Sequence, residues 1–104
     1  MIAIFGGTFD PVHLGHLNMA LQCVNAFNLN TLYFMPCALP AHKAAPGISA
    51  EHRINMLNAA IAPYPHFELD LRELNRTGPS YSLLSLQELR KEHPTTPILF
   101  LIGM

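Results

Sequence analysis

Two hydrophobic periods alternate along this chain. Residues 2–5, IAIF, are an unbroken apolar run ended by Gly6 and Gly7, which predicts a buried strand. From Gly15 to about Asn28, Leu17, Ala20, Leu21, Val24 and Phe27 recur three and four apart, as one face of a helix does. TLYFMP (31–36) is a second strand, stopped by Pro36. CALPAHKAAPG (37–47) follows as a loop in which three of eleven positions are Pro or Gly, long enough to suggest function. Ser49 then caps a helix that carries Glu51 in its first turn and runs to about Ala62 through Ile54, Met56, Leu57 and Ile61. Pro63 and Pro65 end it. HFELDL (66–71) alternates as a short strand, and RELNRTGPS (72–80) is a polar loop. Pro79 or Ser80 opens a third helix with Leu83, Leu86 and Leu89 inward, and ILFLIG after Pro97 is a wholly apolar strand. Met19, Met35 and Met56 read as core.

The resulting order is β-α-β-α-β-α-β. Strands that are apolar on both faces, alternating with helices, predict an α/β fold of the Rossmann-like, doubly wound kind, a parallel sheet with right-handed crossovers. Ligands of such sheets bind outside the carboxyl ends of the strands. The three unusual loops (6–15, 37–48 and 72–80) each follow a strand, so all three should line that one rim. The pattern breaks off at Gly103-Met104 as the fourth strand closes. A helix to cover that strand is expected next, so residues 1–104 read as the N-terminal part of a single domain, with a sheet face uncovered and open to self-association.

Composition narrows the partners. The chain of 104 residues is 50% hydrophobic and 12% charged, with a formal charge of −1. No basic excess exists for a nucleic-acid backbone. No apolar run approaches the ~18 residues of a membrane span, and no secretory signal opens the chain. Cys23 and Cys37 are therefore expected as reduced thiols in the cytoplasm.

The stretch GGTFDPVHLGH (6–16) concentrates the candidate chemistry. Gly6 and Gly7 permit close approach of a ligand to the backbone, Thr8 adds a hydroxyl, and a helix N-terminus follows, which favours anions. An ordinary tight turn would also use these glycines. His13 and His16, three apart at the helix entry, can face one spot above the strand ends. Zinc would require further ligands such as Cys37 or His42, and no second paired motif exists. A helix N-terminus disfavours a histidinium by ~0.3–1 kcal/mol. One phosphate charge at 4 Å favours it by ~4 kcal/mol at an effective dielectric of 20, and protonation at pH 7 costs only ~0.7 kcal/mol. Bound polyphosphate is therefore expected to charge both rings.

GGTFDPVHLGH resembles the signature of the nucleotidyltransferase superfamily with an H-x-G-H motif, here His13-Leu14-Gly15-His16. PAHK (40–43), RTGPSYS (76–82) and FLIGM (100–104) resemble the pattern of its bacterial nicotinate-nucleotide adenylyltransferase branch. The resemblance implies adenylyl transfer from ATP to nicotinate mononucleotide, giving the deamido dinucleotide and pyrophosphate, with Mg2+ carried by ATP. It implies His13 and His16 as catalytic contacts to the phosphates. Gly6, Gly7, Thr8, Phe9, Lys43 and Gly103 would complete the ATP groove, and Thr8, Phe9, Arg76, Thr77, Ser80 and Tyr81 would face the mononucleotide. Asp10 shapes its turn with Pro11. The nicotinamide-nucleotide, pantetheine-phosphate and cytidylyltransferase branches share the motif, although pantetheine enzymes usually have threonine where His13 stands. A non-catalytic nucleotide-binding fragment is the reading from a different class. The family's downstream serine/threonine-arginine motif and the aspartate after the fourth strand have no counterpart within 1–104, so the chain alone is expected to have little activity.

Overall fold

The computed structural model describes residues 1–9, 12–37, 49–75 and 82–102. Its elements follow the predicted order with one short helix, α3, added: β1 (Ile2–Gly7), α1 (Leu14–Phe27), β2 (Leu32–Pro36), α2 (Ala50–Ile61), β3 (Phe67–Leu69), α3 (Arg72–Asn75), α4 (Ser82–Glu92) and β4 (Ile98–Ile102). The four strands form one parallel sheet in the order β3-β2-β1-β4. Its register pairs Gly7 with Pro36, Phe34 with Leu69 and Gly6 with Ile102, so the carboxyl ends of all four strands share one edge.

Strand alternation sorts the apolar side chains onto two faces. Ala3, Phe5, Leu32, Phe34 and Phe67 pack with Leu17, Ala20, Cys23 and Val24 of α1 and with Leu57 and Ile61 of α2. Ile4 and Met35 point the other way and meet Leu89 of α4, with Tyr33, Ile98 and Phe100 half-buried beside them. The second face is thinly covered, and no residue of the edge strand β4 is fully buried. Cys23 and Cys37 are free thiols.

Helix ends follow local chemistry. The Oγ of Ser49 accepts from the His52 N–H at 3.2 Å, capping α2 as expected. Asn28 ends α1 in the left-handed region at φ 51°, a conformation that asparagine tolerates.

Four expectations need correction. Residues 72–75 are a turn of helix rather than loop, because the Asp70 carboxylate accepts from the Arg72 N–H and the Leu71 carbonyl from the Asn75 N–H. Leu83 is 67% exposed, and the inward position of that turn belongs to Ser85, which is fully buried and donates to the Glu73 carboxylate at 2.7 Å. Met19 and Met56 are exposed rather than core. Phe27 is half-exposed because it lies in the last turn of α1, past Val24, the last core residue of that helix.

These differences are measurable by chemical denaturation. Leu57→Ala, at a fully buried site between α2 and the sheet, is expected to cost about 2–5 kcal/mol of stability. Leu83→Ala is expected to stay within about 0.5 kcal/mol of the parent protein.

Candidate active site

β1 delivers its loop onto the shared edge, and the sequence makes that exit tight. A Cβ on Gly6 would stand 3.1 Å from the Phe100 Cζ of neighbouring β4, so a side chain there would require the Phe100 ring to give by a few tenths of an ångström. The Gly7 carbonyl accepts from the Cys37 N–H at 2.9 Å, holding the exits of β1 and β2 together. Phe9 then adopts φ 46°, which costs a bulky L-residue roughly 1–2 kcal/mol. Its ring is buried at 2% exposure, packed edge-on to Phe5 at 5.3 Å and tilted against Phe34 at 5.5 Å. Phe9 can therefore offer a ligand its backbone only.

The same ring seats the histidine pair. His16 is buried at 7% exposure, edge-on to Phe9 at 5.0 Å and to Phe5 at 5.9 Å. His13 occupies the N-cap of α1, where serine, threonine or aspartate is usual, and its Nδ1 accepts from the Gly15 N–H at 3.0 Å. The Nδ1 of His16 in turn accepts from the His13 N–H at 3.0 Å. This is a capping box built from two imidazoles. It also accounts for the glycine between them, because a Cβ on Gly15 would lie 2.9 Å from the His13 Cε1 and displace the ring.

Reciprocal capping determines what the rings can do. Each Nδ1 spends its lone pair on a backbone N–H, so a neutral ring carries its proton on Nε2 and is a hydrogen-bond donor there. The rings stack with centroids 3.8 Å apart and planes 24° apart. Two positive charges at about 4 Å repel by ~4 kcal/mol at an effective dielectric of 20. That repulsion, and the Nδ1 bonds that a protonated ring would have to break, oppose the charging of both rings that bound polyphosphate favours. The first turn of α1 holds no acidic side chain to compete with an anion.

Sequence reasoning passed over Arg53. It is 2% exposed on α2, and its Nη1 donates to the Thr8 carbonyl at 2.7 Å and the Cys37 carbonyl at 3.0 Å. Its buried Nε has no partner among the described residues. The signal lay in the spacing, since Arg53 precedes the buried Leu57 and Ile61 by four and eight residues on one helical face. Burial pushes the Cys37 thiol above its ordinary value, and the negative charge of Glu73 adds to this while Arg53 opposes it.

Of the expected site residues, the structure brings Gly6, Gly7, Thr8, Phe9, His13 and His16 to one edge. Asp10, His42, Lys43, Arg76, Thr77, Ser80, Tyr81 and Gly103 lie outside the described residues. The flanks of 76–81 are held firmly. Glu73 on α3 is tied to Ser85 on α4, and Arg72 pairs with Asp70 and with Glu92 at 2.8–3.0 Å. Among the described residues no three His, Cys, Asp or Glu side chains are grouped to hold a metal ion.

Comparison with known proteins matches residues 4–104 to the cytidylyltransferase-like family. A protein of Legionella pneumophila (strain Corby) named "Probable nicotinate-nucleotide adenylyltransferase" is 46% identical over 102 residues, 98% of this chain and 48% of its own length. One of the same name from Aeromonas salmonicida (strain A449) is 46% identical over 103 residues, 99% of this chain and 48% of that one. The chain thus spans about half the length of these curated relatives. Its fold is shared, with a TM-score of 0.72 at 21% identity, by Plasmodium falciparum nicotinic acid mononucleotide adenylyltransferase complexed with NaAD, over 99% of this chain and 50% of that one.

The cap geometry makes a direct prediction. Gly15→Ala is expected to push the His13 ring off the Gly15 N–H and to cost about 1 kcal/mol of stability through the lost cap. Long-range 15N spectra of the imidazoles should show the His13 Nδ1 leaving its acceptor state.

Proposed function

The chain belongs to the cytidylyltransferase-like family, and on that premise we propose that its protein transfers the adenylyl group of ATP to nicotinate mononucleotide. The observation that carries this reading is the pair of Nδ1-capped imidazoles, held as Nε2–H donors at the N-terminus of α1, where the strand ends meet. Such a site suits an oxyanion whose charge grows during reaction. A phosphate oxygen of the mononucleotide attacks the α-phosphorus of ATP. A new P–O bond forms as the bond to the bridging oxygen breaks, and pyrophosphate leaves with that electron pair. His13 and His16 donate to the phosphoryl oxygens and stabilise the charge that develops on them. Neither ring has to gain or lose a proton.

The choice of acceptor rests on the names of the Legionella and Aeromonas relatives and on the likeness of PAHK and RTGPSYS to that branch. Lys43 reaches the phosphates and Arg76, Thr77, Ser80 and Tyr81 the mononucleotide in this reading, while Gly6, Gly7, Thr8, Phe9 and Gly103 complete the groove. The described edge presents N–H donors rather than clustered carboxylates, which fits a metal arriving on the nucleotide. Carried in this way, Mg2+ would supply charge neutralisation at the outer phosphates. No described helix is long and apolar enough to cross a membrane, and free thiols suit the cytoplasm, where we place the reaction. The thinly covered sheet face, where Ile102 is 72% exposed, is the surface through which the chain would self-associate.

In the full-length protein, His16→Ala is expected to lower turnover at least ~100-fold, as loss of one preorganised donor does, with a smaller change in ATP affinity. Steady-state kinetics with ATP and with CTP check both the residue and the nucleotide. Unchanged turnover in the variant would remove the histidine pair from the chemistry. Preference for CTP would move the protein to the cytidylyltransferase branch. The 104-residue chain alone is expected to turn over far more slowly than the full-length protein.

A further inference from the structure

The geometry points to Arg53 as a positioning residue for the histidine pair. The kinetic part of this inference rests on the adenylyl-transfer reading above, and the structural part does not. A guanidinium buried to 2% exposure ordinarily faces a carboxylate. Among the described residues the ion pairs belong to Arg72. Arg53 instead commits one nitrogen, Nη1, to two main-chain carbonyls, and among the described residues its buried Nε–H has no acceptor. Packing alone does not explain it. A leucine or methionine would continue the stripe of Leu57 and Ile61 with no orphaned donor.

What Arg53 holds is the relative position of two loops leaving adjacent strands. One carbonyl belongs to Thr8, just after β1, and the other to Cys37, just after β2. Fixing the Thr8 carbonyl fixes the peptide that enters the turn where Phe9 is left-handed. A strained residue persists only where its surroundings determine it more than once. The Phe9 ring sets the depth of His16, and the His16 Nδ1 accepts from the His13 N–H. A continuous series of contacts therefore runs from Arg53 through Thr8 and Phe9 to both imidazoles. Arg53 acts through that turn, placing the Nε2–H donors relative to the strand ends.

The test uses Arg53→Met and Arg53→Lys in the full-length protein. Three quantities are read: kcat with KM for ATP, the thermal midpoint, and the 15N ring signals of His13 and His16. Methionine fills the volume without donating, whereas the lysine Nζ can donate to both carbonyls. Arg53→Met is expected to lower kcat about 100-fold, as a misplacement of about 1 Å does, with KM for ATP within about threefold and the His16 ring signals displaced. Arg53→Lys is expected to fall only about tenfold, although it is the less stable of the two, because a charge remains buried. A purely structural role predicts the reverse order, with activity following the thermal midpoint. Arg53→Met with kcat within about threefold of wild type, or loss of kcat with unchanged ring signals, would overturn the inference. Should Arg53→Met not fold, Arg53→Lys decides alone: displaced His16 signals support positioning, and signals superimposable on wild type refute it. If the wild-type protein transfers no adenylyl group, the functional reading fails by itself, and the ring signals of the variants still decide the role of Arg53.

Discussion

The reciprocal capping of His13 and His16 is the interaction on which the rest of this edge depends. A helix N-terminus leaves backbone N–H groups without partners, and short polar side chains ordinarily satisfy them. Here imidazole Nδ1 atoms do so, each at 3.0 Å. The local requirement of the helix thereby becomes a chemical setting, since a ring that accepts at Nδ1 donates at Nε2. The same bonds orient the rings and stack them 3.8 Å apart. Stability of α1 and readiness of the donors are one arrangement, and the glycine between the histidines is what leaves room for it.

That arrangement needs a fixed floor. Phe9 supplies it from a left-handed turn, with its ring buried among Phe5, Phe34 and His16. The strain at Phe9 is held by the packed ring on one side and by the Arg53 hydrogen bond to Thr8 on the other. The parallel register gathers the loops of neighbouring strands onto this edge. Electrostatics follow the same logic: the N-terminus of α1, with no acidic residue in its first turn, favours an anion. Neutral donors stacked in pairs can bind phosphoryl oxygens without the mutual repulsion that two imidazolium rings would bring.

Much of this was legible in the chain itself. Uninterrupted apolar strands and three-and-four spacings gave the element order, and with it the parallel sheet and the shared edge, because those depend on local period and crossover handedness. The Ser49 cap is a property of a few adjacent residues and was equally visible. Features that depend on distant partners were not. Leu83 continues a leucine stripe, yet Ser85 takes the buried place because Glu73, twelve residues earlier, is there to accept its hydroxyl. Arg53 looked like an ordinary helix residue because its partners, Thr8 and Cys37, are 45 and 16 residues away. The histidines were recognisable from their spacing, but their tautomer was not, since it is set by backbone geometry at the cap rather than by residue type.

Calorimetric titration of the full-length protein and its His13→Ala variant with Mg-ATP tests the central claim most directly. The account predicts saturable binding that is lost, or weakened at least tenfold, when His13 is removed. Binding of equal strength in both proteins would show that the nucleotide does not use the capped histidine pair, and would contradict the account.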